Sequence, residues 1–96
     1  MAEYRILYWK DIPYGVRATD GDQRMTRKLP SVFEATVDAA AMVEGATEEE
    51  AYRAGFHWGP VQQRDGDPET VADAVVEELQ QAYPQERLGR LARREA

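Results

Sequence analysis

The single histidine, His57, lies between two aromatic residues in AGFHWGP, and histidine is the side chain most readily poised for proton transfer near neutral pH. Proton chemistry needs a partner. The chain has no cysteine and no second histidine to complete a common metal set, and its one serine, Ser31, stands where a helix begins. A Ser-His-Asp arrangement therefore has no support in the sequence. A structural or helix-terminal role is the expectation for His57, since a histidine in a last helical turn meets the dipole favourably. The alternative is a pocket formed by His57, Trp58 and a basic hairpin. Carboxylates come in close groups, Glu48 to Glu50, Asp65 with Asp67, and Glu77 with Glu78, and such groups can bind hard cations or exchange protons. Most fall in first helical turns or on solvent faces, where charge is expected anyway. RDGDPET lacks the spacing and terminal glutamate of an EF-hand loop, and no GxGxxG or P-loop occurs. The sequence thus predicts no catalytic residue, no metal and no cofactor.

A second constellation is basic and aromatic. In YRILYWKDI the residues Tyr4, Ile6, Tyr8 and Ile12 share one strand parity, and Arg5, Leu7, Trp9 and Asp11 the other. If Ile6 and Tyr8 face a helical layer, Leu7 and Trp9 project from the far side of the sheet. Arg5, Arg17, Arg24, Thr26 and Lys28 join them there by the same alternation. An apolar centre ringed by cations is the expected binding surface, because tryptophan and arginine are the residue types richest in interface hot spots. Its cover is one of three things: the C-terminal segment folded back, a protein partner or a second copy in a homodimer, or a nucleic acid or small anion. Nucleic acid ranks low, because one central aromatic residue and no RNP-like run accompany an acidic middle that repels phosphate.

These residues must be held by a regular framework. Strands are predicted at about 4–12, 14–19 and 24–29, with Pro13 at a bend or on an edge and Asp20-Gly21 as the hairpin turn. The expected fold is α+β, a three-stranded antiparallel β-meander followed by three helices at about 31–44, 48–58 and 68–83. Ser31 with Glu34 and Thr47 with Glu50 read as capping boxes, and Asp67 with Pro68 reads as a cap followed by proline at the first helical position. Phe33, Val37, Ala40 and Ala41 form one apolar stripe, and Val71, Val75 and Leu79 another. Residues 60–66 read equally as a loop or a fourth strand. Residues 85–96 read as a short C-terminal helix or a mobile tail.

Ninety-six residues, 43% of them hydrophobic, suit one domain with one core. The net charge of −6 conceals a segregation. Residues 1–30 carry six basic side chains against four acidic (+2), 31–86 two against thirteen (−11), and 87–96 four against one (+3). Charges at Glu3, Arg5 and Lys10 interrupt any leader-like apolar run, and no stretch approaches the roughly 20 apolar residues of a membrane span. The expectations are no membrane contact and, with no cysteine, a cytoplasmic setting.

The order of parts is itself informative: Tyr8-Trp9 with Asp11-Ile12-Pro13, then Leu29-Pro30, then Asp38-Ala39-Ala40-Ala41-Met42. Over roughly residues 4–91 it resembles a family of small bacterial "virulence factor" domain proteins. The resemblance implies a single domain without established catalytic residues, and a setting beside one-carbon and corrinoid methyl-transfer enzymes. The expected role is a small cytoplasmic binding or accessory subunit acting through protein–protein contacts. The alternative is a small enzyme or anionic-ligand-binding protein using the pocket near His57, Trp58 and the basic hairpin.

Overall fold

In the computed structural model, which describes residues 1–94, the chain is α+β, with one antiparallel sheet of five strands and four helices. β1 (Ala2–Trp9), β2 (Ile12–Asp20) and β3 (Gln23–Lys28) form the expected meander, with Gly21 in the left-handed conformation (φ 61°) that its turn requires. Two further strands, β4 (Phe56–Trp58) and β5 (Gln62–Arg64), share the second edge of β1. β4 pairs with Leu7–Trp9 and β5 with Ala2–Tyr4. The expectation of a three-stranded sheet is therefore corrected to five strands, and residues 60–66 do contain a strand. Strands of three residues have no periodicity to read, and only pairing with β1 defines them.

Pro13 lies inside β2 and is buried, rather than at a bend between strands. The register explains why it is tolerated: Leu7 faces Gly15 while Tyr8 faces Pro13, so Tyr14 is an extra residue and the ladder is interrupted there. The β1–β2 turn places Lys10 at φ 53°, uncommon for a side-chain-bearing residue. Both of its backbone groups are tied down, its N–H donating to Gly55 O (2.7 Å) and its carbonyl accepting from His57 Nε2 (2.7 Å).

Helix α1 (Ser31–Glu44) has the predicted bounds and ends on Gly45 at φ 75°. Its expected capping box is not formed. Pro30 is the N-cap, and the Glu34 carboxylate instead meets Lys28 Nζ at 2.7 Å and accepts from the Tyr14 hydroxyl at 3.2 Å. α2 (Glu49–Ala54) is shorter than the predicted 48–58 and lacks the Thr47 cap, Glu48 being its N-cap. Gly55 ends it, and His57 falls in β4 instead of a last helical turn. α3 (Pro68–Ala82) begins as expected, with Asp67 accepting from the Thr70 N–H at 2.7 Å, which holds the Asp67 carboxyl below its ordinary range. The segment at 85–96 contains α4 (Gln85–Ala92), which packs against α1. Residues 95–96 of the expected tail lie outside the described residues.

Two apolar clusters result. In the larger, Ile6, Val16, Phe33, Val71, Val75 and Leu79 pack between the sheet and α3, with Leu88 of α4. In the smaller, Trp9 and Ile12 pack with Val37, Ala40 and Ala41 of α1. Each large side chain so buried contributes about 1.5–3 kcal/mol. Among the described residues, no helix is long and apolar enough to cross a membrane.

Candidate functional site

The side of the sheet opposite α3 carries the expected cationic residues. Val16 and Ala18 face the core, so Gly15, Arg17 and Thr19 face away from it, and the β2–β3 register sets Thr26 opposite Arg17 and Arg24 opposite Thr19. Arg5 and Leu7 of β1 share that side. The structure brings Leu7, Arg5, Arg17, Arg24 and Lys28 onto one surface. It does not bring Trp9 there.

Trp9 has the parity of Leu7 but is 0% exposed. α1 and the segment around α2 wrap the end of the sheet and enclose it, and its indole Nε1 donates to the backbone carbonyl of Tyr52 at 2.7 Å. Close approach of the backbone is essential here, since a Cβ on Gly55 would lie 2.5 Å from Trp9 Nε1. The outer parity of the strand is thus apolar for two different reasons: Trp9 is enclosed by a second cluster at the end of the sheet, while Leu7 stays half-buried at the surface beside Trp58. Among the described residues the C-terminal segment does not cover Leu7, because α4 lies against α1.

Trp58 occupies the outer position instead. It sits opposite Leu7 across the β1–β4 ladder, and the guanidinium carbons of Arg17 and Arg5 lie 4.5 and 5.7 Å from its ring centroid. Arg5 Nε also donates to Gly59 O at 3.0 Å. Cation–π contacts of this kind contribute about 0.5–1 kcal/mol each at exposed sites, and here they align two guanidiniums beside an aromatic wall. Arg17 Nε is buried and has no hydrogen-bond partner among the described residues. Phe56-His57-Trp58 is too short to show alternation, so the direction of Trp58 followed only once pairing with β1 defined β4.

Two shallow hollows flank this stack. One, of about 180 Å³, is apolar and lined by Leu7, Tyr14, Gly15, Thr26, Lys28 and Trp58. The other, of about 170 Å³, is lined by Arg5, Arg17, Arg24, Thr19, Val61 and Glu3. Lys28 stands at the rim with its charge engaged: its hydrogen bond with Glu34 raises the Lys28 pKa and holds the Glu34 carboxyl below its ordinary range.

His57 and Trp58 do not form a common pocket. Consecutive strand residues point to opposite sides, and His57 stacks on Tyr8 at 5.6 Å between centroids with 18° between planes. Its Nε2 donates to Lys10 O, which makes His57 a clamp on the β1–β2 turn. Among the described residues no group of three His, Cys, Asp or Glu side chains is arranged to hold a metal ion.

The family model described as "Virulence factor" matches residues 7–92. The chain belongs to the virulence factor family. Curated relatives include Conserved virulence factor C of Staphylococcus aureus strain MRSA252, 31% identical over 83 residues, and that of strain bovine RF122 / ET3-1, 30% identical over the same length. The match covers 86% of this chain but 21% of each relative, so the chain spans about a fifth of the length of the curated relatives it matches. No solved structure matches it. In this virulence factor domain the Tyr8-Trp9 and Ile12-Pro13 positions are packing residues: Trp9, Ile12 and Pro13 are buried and Tyr8 carries the His57 ring.

Proposed function

We propose that this virulence factor domain is a small cytoplasmic binding or accessory unit that acts through protein–protein contacts, and that the outer face of its sheet makes those contacts. The observation that carries the reading is the Trp58 ring, held beside Arg5 and Arg17 on a sheet face that α3 does not cover. A half-buried tryptophan aligned with guanidiniums is the composition of an interface anchor. In the curated relatives the matching region is about a fifth of a much longer polypeptide, which is compatible with a unit that works in contact with other protein. The family resemblance adds one-carbon or methyl-transfer enzymes as the first partners to test.

The experiment is affinity capture from native lysate with the wild type and with Trp58→Ala and Arg17→Glu, followed by mass spectrometry. A partner retained by the wild type and lost by both folded variants is the expected result. Equal capture by all three overturns the reading. A small anionic ligand is the second reading, supported by the basic hollow beside Arg5, Arg17 and Arg24. Native mass spectrometry of the purified chain distinguishes it, because a retained ligand adds mass that Arg24→Gln removes.

A further inference from the structure

Eight cationic side chains precede α4, and five of them meet carboxylates: Lys10 with Glu44, Arg27 with Asp73, Lys28 with Glu34, Arg53 with Glu49 and Arg64 with Glu78. Arg5, Arg17 and Arg24 have no carboxylate partner among the described residues. All three stand on the outer sheet face and line one hollow. In a chain with 18 acidic residues against 12 basic, cations left without carboxylates are selectively placed. Glu3 shares that hollow, so its local balance suits one or two carboxylates more than a densely charged polyanion.

The spacing narrows the ligand further. Arg5 and Leu7 lie two residues apart on one side of β1, about 6.6 Å along the strand, and each lines one of the two hollows. An extended peptide repeats with the same period, so its side chains i and i+2 face one surface at matching separation. We propose that this face binds an extended acidic segment of a partner protein, with a carboxylate held by Arg5, Arg17 and Arg24 and an apolar side chain two positions away seated against Leu7 and Trp58. The inference rests on the reading of the outer face as a protein-contact surface. Arginine suits the task because its planar fork meets a carboxylate through two parallel hydrogen bonds. A second copy related by a two-fold axis is disfavoured, since it would set this same cationic face against itself and bring no surplus of carboxylates to it. A single-stranded nucleic acid is disfavoured because stacking requires an open aromatic face, and Arg17 lies over the Trp58 ring.

The test uses uniformly nitrogen-15-labelled protein and the probe acetyl-Gly-Asp-Ser-Leu-Gly-amide. Its controls are the Asn counterpart, a version with a second Ser between Asp and Leu, oligothymidylate and inorganic phosphate. The chain has two tryptophans, so the indole N–H of Trp58 reports the face while that of buried Trp9 is an internal reference. The expected result is a saturable shift of Trp58 and of the Arg5, Leu7 and Arg17 amides, with Trp9 unmoved. The Asn peptide, the lengthened peptide and the Arg17→Gln variant each bind at least about five-fold more weakly, since each removes one charge-assisted contact or its register. Arg24→Gln serves the same purpose should Arg17→Gln not fold.

No shift at millimolar probe, or equal binding of the Asn peptide, overturns the proposal. So does tighter binding of oligothymidylate or phosphate, which would assign the face to a nucleic acid or a small anion. Should the probe fail while a captured partner protects Trp58 and Leu7 from hydrogen exchange, the acidic-segment chemistry is wrong and the contact face stands. Should the partner leave those residues unprotected, both readings fall.

Discussion

The guanidinium of Arg17, on β2, reaches across β1 to lie 4.5 Å from the ring centroid of Trp58, on β4. Three strands therefore meet in one surface feature, and strands far apart in sequence build it. Neither ring nor guanidinium belongs to the main core, so the pair is available to a partner without costing the fold its packing.

Trp58→Ala is expected to weaken association with a captured partner by more than about 2 kcal/mol, the range for truncating a central aromatic anchor. The fold should lose less than about 2 kcal/mol, the worth of two exposed cation–π contacts. Isothermal titration against the partner measures the first effect. Urea unfolding measures the second, and a large loss of stability would make Trp58 a core residue instead.

Trp9→Ala should behave in the opposite way. Trp9 is fully buried and its Nε1 satisfies the Tyr52 carbonyl, so removing the indole is expected to cost about 3–5 kcal/mol of stability. That is a large share of the roughly 5–15 kcal/mol total of a small domain. Gly55→Ala is a milder form of the same disturbance, costing about 1–3 kcal/mol through overpacking against the indole. Chemical denaturation followed by circular dichroism decides both. A Trp9→Ala midpoint equal to the wild type would contradict the enclosed position.

Val75→Ala tests the attachment of α3 to the sheet. Val75 is 3% exposed and packs in the larger cluster with Val71 and Leu79, so losing its methyl groups should cost about 1–3 kcal/mol. An unchanged urea midpoint would mean that α3 adds little to the core.

Tyr52 supplies a prediction at high pH. Burial, with a hydrogen bond donated to Asp38 Oδ1 at 2.9 Å, pushes its hydroxyl from the ordinary 10.0 up to about 12. The folded value exceeds the unfolded one. The contribution of protonated Tyr52 is therefore fully present below pH 10 and is lost as pH rises through about 12. Ultraviolet titration of the folded protein should show one of its five tyrosines ionising near pH 12, and Tyr52→Phe should remove that step. A Tyr52→Phe curve with the late step intact would assign it to another tyrosine.

Much of this protein is legible in its sequence because the relevant forces act over a few residues. Alternation in YRILYW and RMTRK, the glycine at the β2–β3 turn, the stripes of α1 and α3 and the Asp67 cap all appear where short-range geometry places them. The cationic residues of the outer face were legible for the same reason, since strand parity alone puts Arg5, Arg17 and Arg24 on one side. Tertiary structure decided what local pattern cannot express. β4 and β5 are three residues each and exist because β1 offers an unpaired edge. The capping boxes at Ser31 and Thr47 do not form, and at Ser31 the Glu34 carboxylate is drawn to Lys28 and Tyr14. Parity gives Trp9 and Leu7 the same direction, yet whether that direction leads to solvent depends on a helix more than forty residues away in the chain, whose Tyr52 carbonyl closes over the Trp9 indole. Long-range contact, absent from any local window, buried one tryptophan and brought the other to the surface beside the arginines.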